Sequence, residues 1–396
     1  MLKEKIRDIA RSLQDKAVAT RRHLHANPEL SFMEENTAVF IAAKLDALGI
    51  PYERMANTGL VAILEGTKGP SDIVIALRAD IDALPITELN DVPYKSQFPG
   101  VMHACGHDVH TTSLLGDAEI LLHLRHEFSG RVKFIFQPGE ECIPGGASLM
   151  IKEGVLQNPA PARILGQHVM PELPVGKIGM RAGRYMASAD EIYIEVYGKG
   201  GHGAMPHTTV DPVIIASHMI IAFQQIVSRN ANPTMPSVLS IGKVIADGAH
   251  NVIPDKVIID GTFRTLDETW RFDAHERIRK LAHAIAEGMG GSCDVNIRVG
   301  YPVLINHEAL TAEVRALTEE FMGADNVVDL PIWMAAEDFA SYSQVADACF
   351  YRLGVGNVER GITSGLHTAT FDADERSLEI GAGLMAWLAL RSLGAS

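Results

Sequence analysis

Three histidines, a cysteine and an aspartate lie within the eight residues 103–110. Gly106 separates Cys105 from His107 and lets the backbone turn without a steric penalty. In an extended segment both side chains would leave the same face, where a thiolate and an imidazole can share one metal ion or bridge two. The alternative is a histidine-rich turn that caps a helix, because an apolar helical pattern starts at Thr111. The motif predicts a metal site only if further ligands occur elsewhere.

Further polar residues follow predicted buried strands. The apolar runs 73–77 and 132–136 do not alternate with polar residues, a pattern typical of strands covered on both faces. Together with a third strand near 164–166, these runs end in Asp80 and Asp82, Glu140 and Glu141, and His168. In open α/β sheets, binding and catalytic sites are built at the edge formed by the carboxyl ends of the strands. A loop near the C-terminus adds His367.

The side chains that could bind metal comprise one sulfur, three imidazoles and one carboxylate. They are Cys105, His107, Glu141, His168 and His367. Five donors are too many for one closed tetrahedral zinc site but suit two divalent ions, with the Cys105 sulfur as a candidate bridge. Two ions about 3.5–4 Å apart can hold a hydroxide and polarise a carbonyl, the usual arrangement for hydrolysis.

A hydrolytic site of this kind also needs a carboxylate that moves a proton. Glu140 is next in sequence to a predicted ligand and is our candidate for the general base. Asp80 or Asp82 is interpreted as orienting an imidazole. Each residue has an alternative reading, since a Glu-Glu pair after a turn is often solvated and an isolated histidine is often simply buried. His23, His25, His123 and His126 are expected at the surface.

Composition limits the classes of partner. The 396 residues carry a formal net charge of −14, which argues against nucleic acid or an anionic membrane surface as a partner. No apolar run reaches the ~18 residues that span a bilayer. The four cysteines form no C-x-x-C pair, and the N-terminus opens into a charged amphipathic helix. We therefore expect a cytoplasmic protein with free thiols.

The pattern of apolar residues changes in the middle of the chain. Residues 191–197, 257–264 and 293–299 alternate with period two, which predicts an antiparallel sheet with one wet face. Predicted helices at 211–227 and 268–289 would cover the other face. We therefore predict a discontinuous α/β domain from residues 1–182 and 299–396, with an α+β domain inserted at 183–298. Near the N-terminus, helices are predicted over 3–25 and 33–48.

Four motifs resemble one enzyme family. They are RADIDALP at 78–85, HACGHD at 103–108, QPGEE at 137–141 and GHGA at 201–204. The motifs are similar to those of the metal-dependent amidohydrolases of peptidase family M20. The branch they resemble contains hippurate hydrolases, N-acyl-amino-acid amidohydrolases and plant auxin-conjugate hydrolases. The similarity runs from Arg21 to the terminal helix, nearly the whole chain, and the Cys-Gly-His-Asp and Pro-Gly-Glu-Glu blocks in this order are highly specific.

The resemblance implies a zinc-exopeptidase-type catalytic domain with a mixed sheet, carrying two divalent ions per subunit (zinc, manganese, cobalt or nickel). It implies the same five ligands, with Glu140 as the base. The segment 183–298 would be a lid that pairs with its copy in a homodimer or higher homo-oligomer. His202 would act at an active site, that of the partner subunit, while Asn251 and Arg264 would hold the substrate's carboxylate. Both roles have structural alternatives. His202 could simply lie in a glycine-rich turn, and Arg264 could form an ordinary salt bridge at the end of a strand.

We predict a hydrolase that cleaves the amide bond of N-acyl amino acids, a small-molecule substrate class. A dipeptidase or metallocarboxypeptidase of the same fold is the nearest alternative, because the acyl pocket has no readable sequence code. A non-catalytic metal-binding dimer is the alternative from another class. The intact Glu140 and the full set of five donors argue against it.

Overall fold

The computed structural model describes residues 2–395. Within them the α-helices are α1 (Leu2–Ser12), α2 (Gln14–Ala26), α3 (Glu35–Leu48), α4 (His107–His123), α5 (Gly146–Lys152), α6 (Pro212–Gln225), α7 (Glu268–Gly288), α8 (Glu308–Met322), α9 (Ala340–Ser343) and α10 (Arg376–Ser392). Short 3-10 helices cover Pro206–Thr208, Ala324–Asn326 and Val358–Arg360, and a π-helical turn covers Ile226–Asn230. None of the helices in this part of the chain has the length and apolarity needed to cross a bilayer.

The β-strands in the same range are mostly short. They are β1 (Tyr52–Met55), β2 (Gly59–Glu65), β3 (Val74–Asp80), β4 (Arg131–Gln137), β5 (Arg163–Pro174), β6 (Ile178–Met180), β7 (Gly183–Met186), β8 (Asp190–Tyr197), β9 (Gly201–His202), β10 (Ser237–Ala246), β11 (Val252–Ile253), β12 (Lys256–Thr265), β13 (Ser292–Val299), β14 (Leu304–Asn306), β15 (Val327–Asp329) and β16 (Ala348–Gly356).

The chain forms two compact units. Unit 1 takes in the described parts of Met1–Gly183 and Asp338–Ser396 together with Ile305–Pro331, and unit 2 takes in Arg184–Leu304 and Ile332–Glu337. The predicted α/β class with a mixed sheet is confirmed. The lid and dimerisation role given to segment 183–298 stays a proposal.

The sheet of unit 1 has the order β1-β2-β4-β3-β5-β16-β6-β15. Its centre is parallel, because β3 pairs with β4 and β5, and β5 pairs with β16, all in the same direction. Every residue of β3 and β16 is buried, as expected for strands covered on both faces. The carboxyl ends of these four strands therefore meet at one edge of the sheet, where the candidate site lies.

Helix α4 begins earlier than the apolar pattern indicates. It starts at His107 instead of near Thr111, directly after Gly106, whose φ is +80°. A Cβ added to Gly106 would lie 2.4 Å from a methyl carbon of Val169, so only glycine fits this close approach. The turn at Gly106 is thus as predicted, but His107 belongs to the first turn of a helix and not to an extended segment.

Unit 2 contains an antiparallel sheet of order β10-β12-β8-β13. The side chains of Ile192, Ile194 and Val196 on β8 are fully buried and alternate with partly exposed ones, which confirms the predicted period-two pattern. Helices α6 and α7 pack on this buried face, as predicted. Strand β10 was not predicted. It is exposed on most positions and has an irregular register at Ile241, so its alternation is weak in the sequence.

Candidate active site

Parallel strands bring the polar residues of unit 1 together. Asp80 is the last residue of β3 and pairs with Gln137, the last residue of β4. The amide of Ile81 donates to the carbonyl of Gln137 at 3.0 Å, so the two chains leave the sheet side by side. Asp82 and the Glu140–Glu141 pair follow directly. The neighbouring strand β5 carries His168.

The five predicted metal ligands form one cluster around the Cys105 sulfur. Its Sγ atom lies 3.4 Å from Nε2 of His168 and 3.3 Å from Nε2 of His367. The same nitrogen of His367 is 3.2 Å from Oε1 of Glu141. Among these five residues, potential ligand atoms lie within 4.8 Å of one another in two triplets, Cys105–His107–His168 and Cys105–Glu141–His367. Cys105 belongs to both triplets, which is the arrangement required of a bridging ligand.

These donors fit divalent ions. Nε2 of His107 is buried and has no hydrogen-bond partner. Burial, and then the carboxylates of Glu141, Glu140 and Asp80, raise the pKa of the Cys105 thiol well above its ordinary value. So many buried anionic groups repel one another unless a cation lies among them. A sulfur, imidazole and carboxylate set accepts zinc, cobalt, nickel or manganese.

Hydrogen bonds orient two of the imidazoles, those of His107 and His168, so that Nε2 of each faces the cluster. Nδ1 of His107 lies 3.1 Å from Oδ1 of Asp82, and Nδ1 of His168 lies 2.7 Å from the carbonyl oxygen of Val169. Donation from Nδ1–H in each pair leaves the Nε2 lone pair available to a metal. Burial lowers the pKa of His107, but Asp80, Asp82 and Glu141 outweigh it and raise this pKa to about 10, so a metal ion at Nε2 would have to displace a proton from this ring.

Asp80 is the centre of a buried network. Its carboxylate accepts from Arg78 at 2.6 Å and lies 2.6 Å from Nδ1 of His110. Nε2 of His110 accepts from the amide of Val169 at 2.8 Å, so the proton of this ring is on Nδ1. Burial opposes ionisation of Asp80, but His107, His110 and Arg78 hold its pKa well below the ordinary value. Asp80 is therefore an anion that lies 3.7 Å from Nε2 of His107.

Glu140 lies beside the donor cluster and forms a further group of potential ligand atoms with His107 and Glu141. It is 6% exposed, and its carboxylate lies within 4.8 Å of ligand atoms of His107 and Glu141. Its Oε1 accepts from the amide of Asp338 at 3.3 Å. Asp338 is itself held by Arg78, which donates to it at 2.7 Å. The carboxylate is thus fixed beside the donor cluster.

Comparisons with known proteins agree with this chemistry. The model of "Peptidase family M20/M25/M40" matches residues 76–391. The chain belongs to this family. The solved structure of the Bacillus subtilis YXEP protein, described as a dinuclear metal binding peptidase from the M20 family, superposes with a TM-score of 0.82. It is 33% identical and covers 98% of this chain and 100% of its own.

Curated M20 relatives carry two kinds of name. The N-acyl-L-amino acid amidohydrolase of Geobacillus stearothermophilus is 43% identical over 78% of this chain and 82% of its own length. Thermostable carboxypeptidase 2 of Saccharolobus solfataricus is 36% identical over 98% of both chains. The M20 family consists of hydrolytic enzymes, and this chain is one of them.

Of the predicted ligands, His168 lies in a strand instead of the expected loop, and His367 has an unusual backbone conformation. His168 is inside β5, because β16 continues to pair alongside it, with His168 opposite Arg352. His367 is in a loop, as predicted, but its φ is +60°, which is rare for a residue with a side chain. The amide of His367 donates to the carbonyl of Ala104 at 2.8 Å and thereby ties its loop to the Cys105 segment.

The three residues predicted to contact the substrate lie in unit 2. His202 and Asn251 are both exposed, and the amide of Gly203 donates to the carbonyl of Asn251 at 2.8 Å, so the two are neighbours. Arg264 lies on β12 and donates to the carbonyl of Met334 at 3.2 Å. Their roles stay predictions.

The expectation that His25 lies at the surface is wrong. This side chain is fully buried, with Nδ1 2.8 Å from Asp108 and Nε2 3.2 Å from Glu88. Arg21 donates to the same oxygen of Asp108 at 2.8 Å. A helical pattern based on apolar residues alone could not reveal a buried face made of charged ones. For the same reason the sequence did not reveal the role of His110 as a buried partner of Asp80. Its only sequence signal was its position one helical turn after His107.

Proposed function

We propose that this M20 enzyme hydrolyses the amide bond of N-acyl amino acids and releases a carboxylate and a free amino acid. The observation that carries the proposal is the placement of the buried Glu140 carboxylate beside the five clustered donors. The similarity to the Geobacillus amidohydrolase supports the choice of substrate class. The proposed cofactor is two divalent ions per subunit (zinc, manganese, cobalt or nickel), which Cys105, His107, Glu141, His168 and His367 would hold.

Bound divalent ions would activate a water molecule and polarise the amide carbonyl. Glu140 accepts the proton of the attacking water and passes it to the leaving nitrogen as the carbon–nitrogen bond breaks. Asp82 holds His107, and Asp80 holds His110 beside His168, so that the imidazoles keep their orientation during the reaction. In the proposed dimer, His202 acts at the active site of the partner subunit, where it donates to the developing oxyanion. Asn251 and Arg264 bind the substrate's carboxylate, where a guanidinium can pair with both oxygens.

The test is a substrate panel assayed after reloading the protein with each metal in turn. Acetyl, benzoyl and long-chain acyl amino acids are expected to be hydrolysed faster than dipeptides. Preference for dipeptides, or for peptides with a free C-terminus, would favour the peptidase alternative, which the carboxypeptidase name of the Saccharolobus relative supports.

Glu140→Ala tests the assignment of the base. Loss of the proton acceptor should lower kcat by about 10²–10⁴-fold while metal binding persists. Glu319→Ala, at a partly exposed carboxylate of α8 that lies 3.6 Å from Arg315, is the matched control. Normal turnover by metal-loaded Glu140→Ala would contradict the mechanism.

We also propose a homodimer or higher homo-oligomer that forms through unit 2. The edge strand β10 supports this, since Val244 and Ile245 are 50% and 41% exposed. A large exposed residue of α6, Ile221, is 72% exposed. Light scattering on the purified protein checks the proposal, and a monomer at micromolar concentration would contradict it.

A further inference from the structure

A single buried carboxylate connects three segments of unit 1 around the loop that carries Glu140. Glu34, just before α3, is fully buried. Its Oε1 accepts from the amide of Phe32 at 2.8 Å and from the amide of Gly139 at 2.9 Å. Its Oε2 accepts from the hydroxyl of Thr58 at 2.6 Å. One side chain thus ties the turn at Phe32 and the segment before β2 to the Gly139–Glu141 loop.

The contact between the turn at Phe32 and the Gly139 loop is close and strained. Phe32 has a φ of +65° and Gly139 a φ of +60°, both in the left-handed region. A Cβ added to Gly139 would lie 2.4 Å from the Phe32 ring. A residue other than glycine keeps such a backbone conformation only where its surroundings over-determine it. The hydrogen bonds from the amides of Phe32 and Gly139 to Glu34 are the contacts that hold this conformation.

The backbone of the proposed base is held on both sides. The amide of Gly139, before Glu140, donates to Glu34. The amide of Glu141, after Glu140, donates to Asp82 at 3.0 Å. Asp82 in turn accepts from Ser31 at 2.6 Å, so the segment 31–34 reaches both ends of the loop. Movement of either amide would turn the Glu140 and Glu141 side chains away from the donor cluster.

We propose that Glu34 is a positioning residue that sets the orientation of Glu140 and Glu141 through the amide of Gly139. The part of this inference that concerns turnover rests on the proposed hydrolase function. The part that concerns the metal ligand Glu141 does not, because it is measured by metal binding.

The bonding pattern identifies the substitution that should preserve the contact. Both amides donate to the same oxygen, Oε1, and a glutamine at position 34 would keep that oxygen. Burial and the nearby Asp82 raise the pKa of Glu34 to about 7, against the opposing hydrogen bond from Thr58. A protonated Glu34 carboxyl keeps an acceptor oxygen for the two amides, as the ionised carboxylate does. The carbonyl oxygen of E34Q can therefore replace the acceptor of either protonation state. E34L has a similar volume but no acceptor.

The experiment compares E34L, E34Q and T58V in the full-length protein. E34L is expected to bind metal about 10–100-fold more weakly than the wild type and to turn over substrate correspondingly more slowly. Its cobalt-loaded form should show altered visible absorption, since Glu141 is reoriented. E34Q should restore both properties. T58V removes only the bond to Oε2, and it should lower the melting temperature while leaving the cobalt spectrum and kcat unchanged.

A purely structural role of Glu34 would change the melting temperature of E34L without changing its cobalt spectrum or its metal affinity, and that result would overturn the proposal. So would a T58V variant that loses as much metal affinity as E34L. If E34L does not fold, E34D decides, because its shorter side chain withdraws the oxygen from Gly139. A wild-type cobalt spectrum in E34D overturns the inference. If the wild type hydrolyses nothing on the panel, the metal-binding results still stand as the test.

Discussion

At the scale of single residues, the site depends on hydrogen-bond acceptors that determine which nitrogen of a histidine ring carries the proton. Asp82 illustrates this, because one carboxylate faces His107, the amide of Glu141 and the hydroxyl of Ser31. Burial alone would raise the pKa of Asp82, but its contact with His107 and the other donors lower it. Asp82 is therefore an anion that orients two predicted metal ligands without belonging to the donor set itself.

Replacing Asp82 by alanine should weaken metal binding by about 10–100-fold, because His107 loses the acceptor that fixes its tautomer. Competition with a chromophoric chelator measures the affinity. S31A removes one hydrogen bond from the same carboxylate and is the matched control, with a smaller loss expected. Wild-type affinity in D82A would show that His107 needs no orienting partner.

At the scale of elements, the start of α10 depends on one buried carboxylate. Asp374 accepts from the amide of Arg376 at 3.0 Å and from the side chain of Asn357 at 2.5 Å. Burial raises the pKa of Asp374, but the hydrogen bonds from Arg376 and Asn357 outweigh it and lower this pKa to about 2. The ionised carboxylate thus joins the N-terminus of the helix to the segment after β16.

The stability that Asp374 supplies should depend on pH. Its pKa in the folded state lies below the ordinary value of 3.8, so its contribution is present above pH 3.8 and is lost as the pH falls towards 2. D374N should therefore lower the free energy of unfolding by about 1–3 kcal/mol at neutral pH, and the difference from wild type should shrink in acid. Denaturant titrations at several pH values from neutral to about 2 measure this difference in the free energy of unfolding. D15N, on an exposed face of α2, is the control.

A D374N deficit that stays constant down to pH 2, or a similar acid dependence in D15N, would contradict this assignment.

At the scale of the whole molecule, the apolar cores and the donor cluster use different residues. The core of unit 1 is built from side chains such as Leu77, Phe134 and Leu388, and that of unit 2 from residues such as Ile194 and Phe223. A chain of 396 residues buries enough apolar surface to fold without a metal. The proposed ions should therefore serve the reaction and not hold the fold together.

Chelation should leave the protein folded but inactive, with unchanged far-ultraviolet circular dichroism and with activity recovered on adding zinc, manganese or cobalt. A structural metal would behave differently, because its binding energy is part of the folding energy and its removal unfolds the chain. Chelator that has been saturated with zinc beforehand is the control for direct effects. Loss of the circular dichroism signal on chelation would contradict a purely catalytic role.

The sequence by itself determined the class of fold and the set of candidate donors. Buried strands read as continuous apolar runs, and the polar residues that end them cannot be explained by packing, so Asp80, Glu140 and Glu141 stood out locally. The strict spacing of Cys105 and His107 was likewise readable. The alternation in unit 2 predicted β8, β12 and β13 because one face of that sheet is wet.

Only the tertiary structure decided which polar side chains support those donors. Glu34, His25 and His110 are buried through partners far along the chain, such as Gly139, Asp108 and Val169. No local pattern encodes such a contact, since a buried charge is stable only when a distant segment supplies its partner. The tertiary fold alone also set the tautomer of each histidine and gave His367 its left-handed backbone, because both depend on contacts between separate loops.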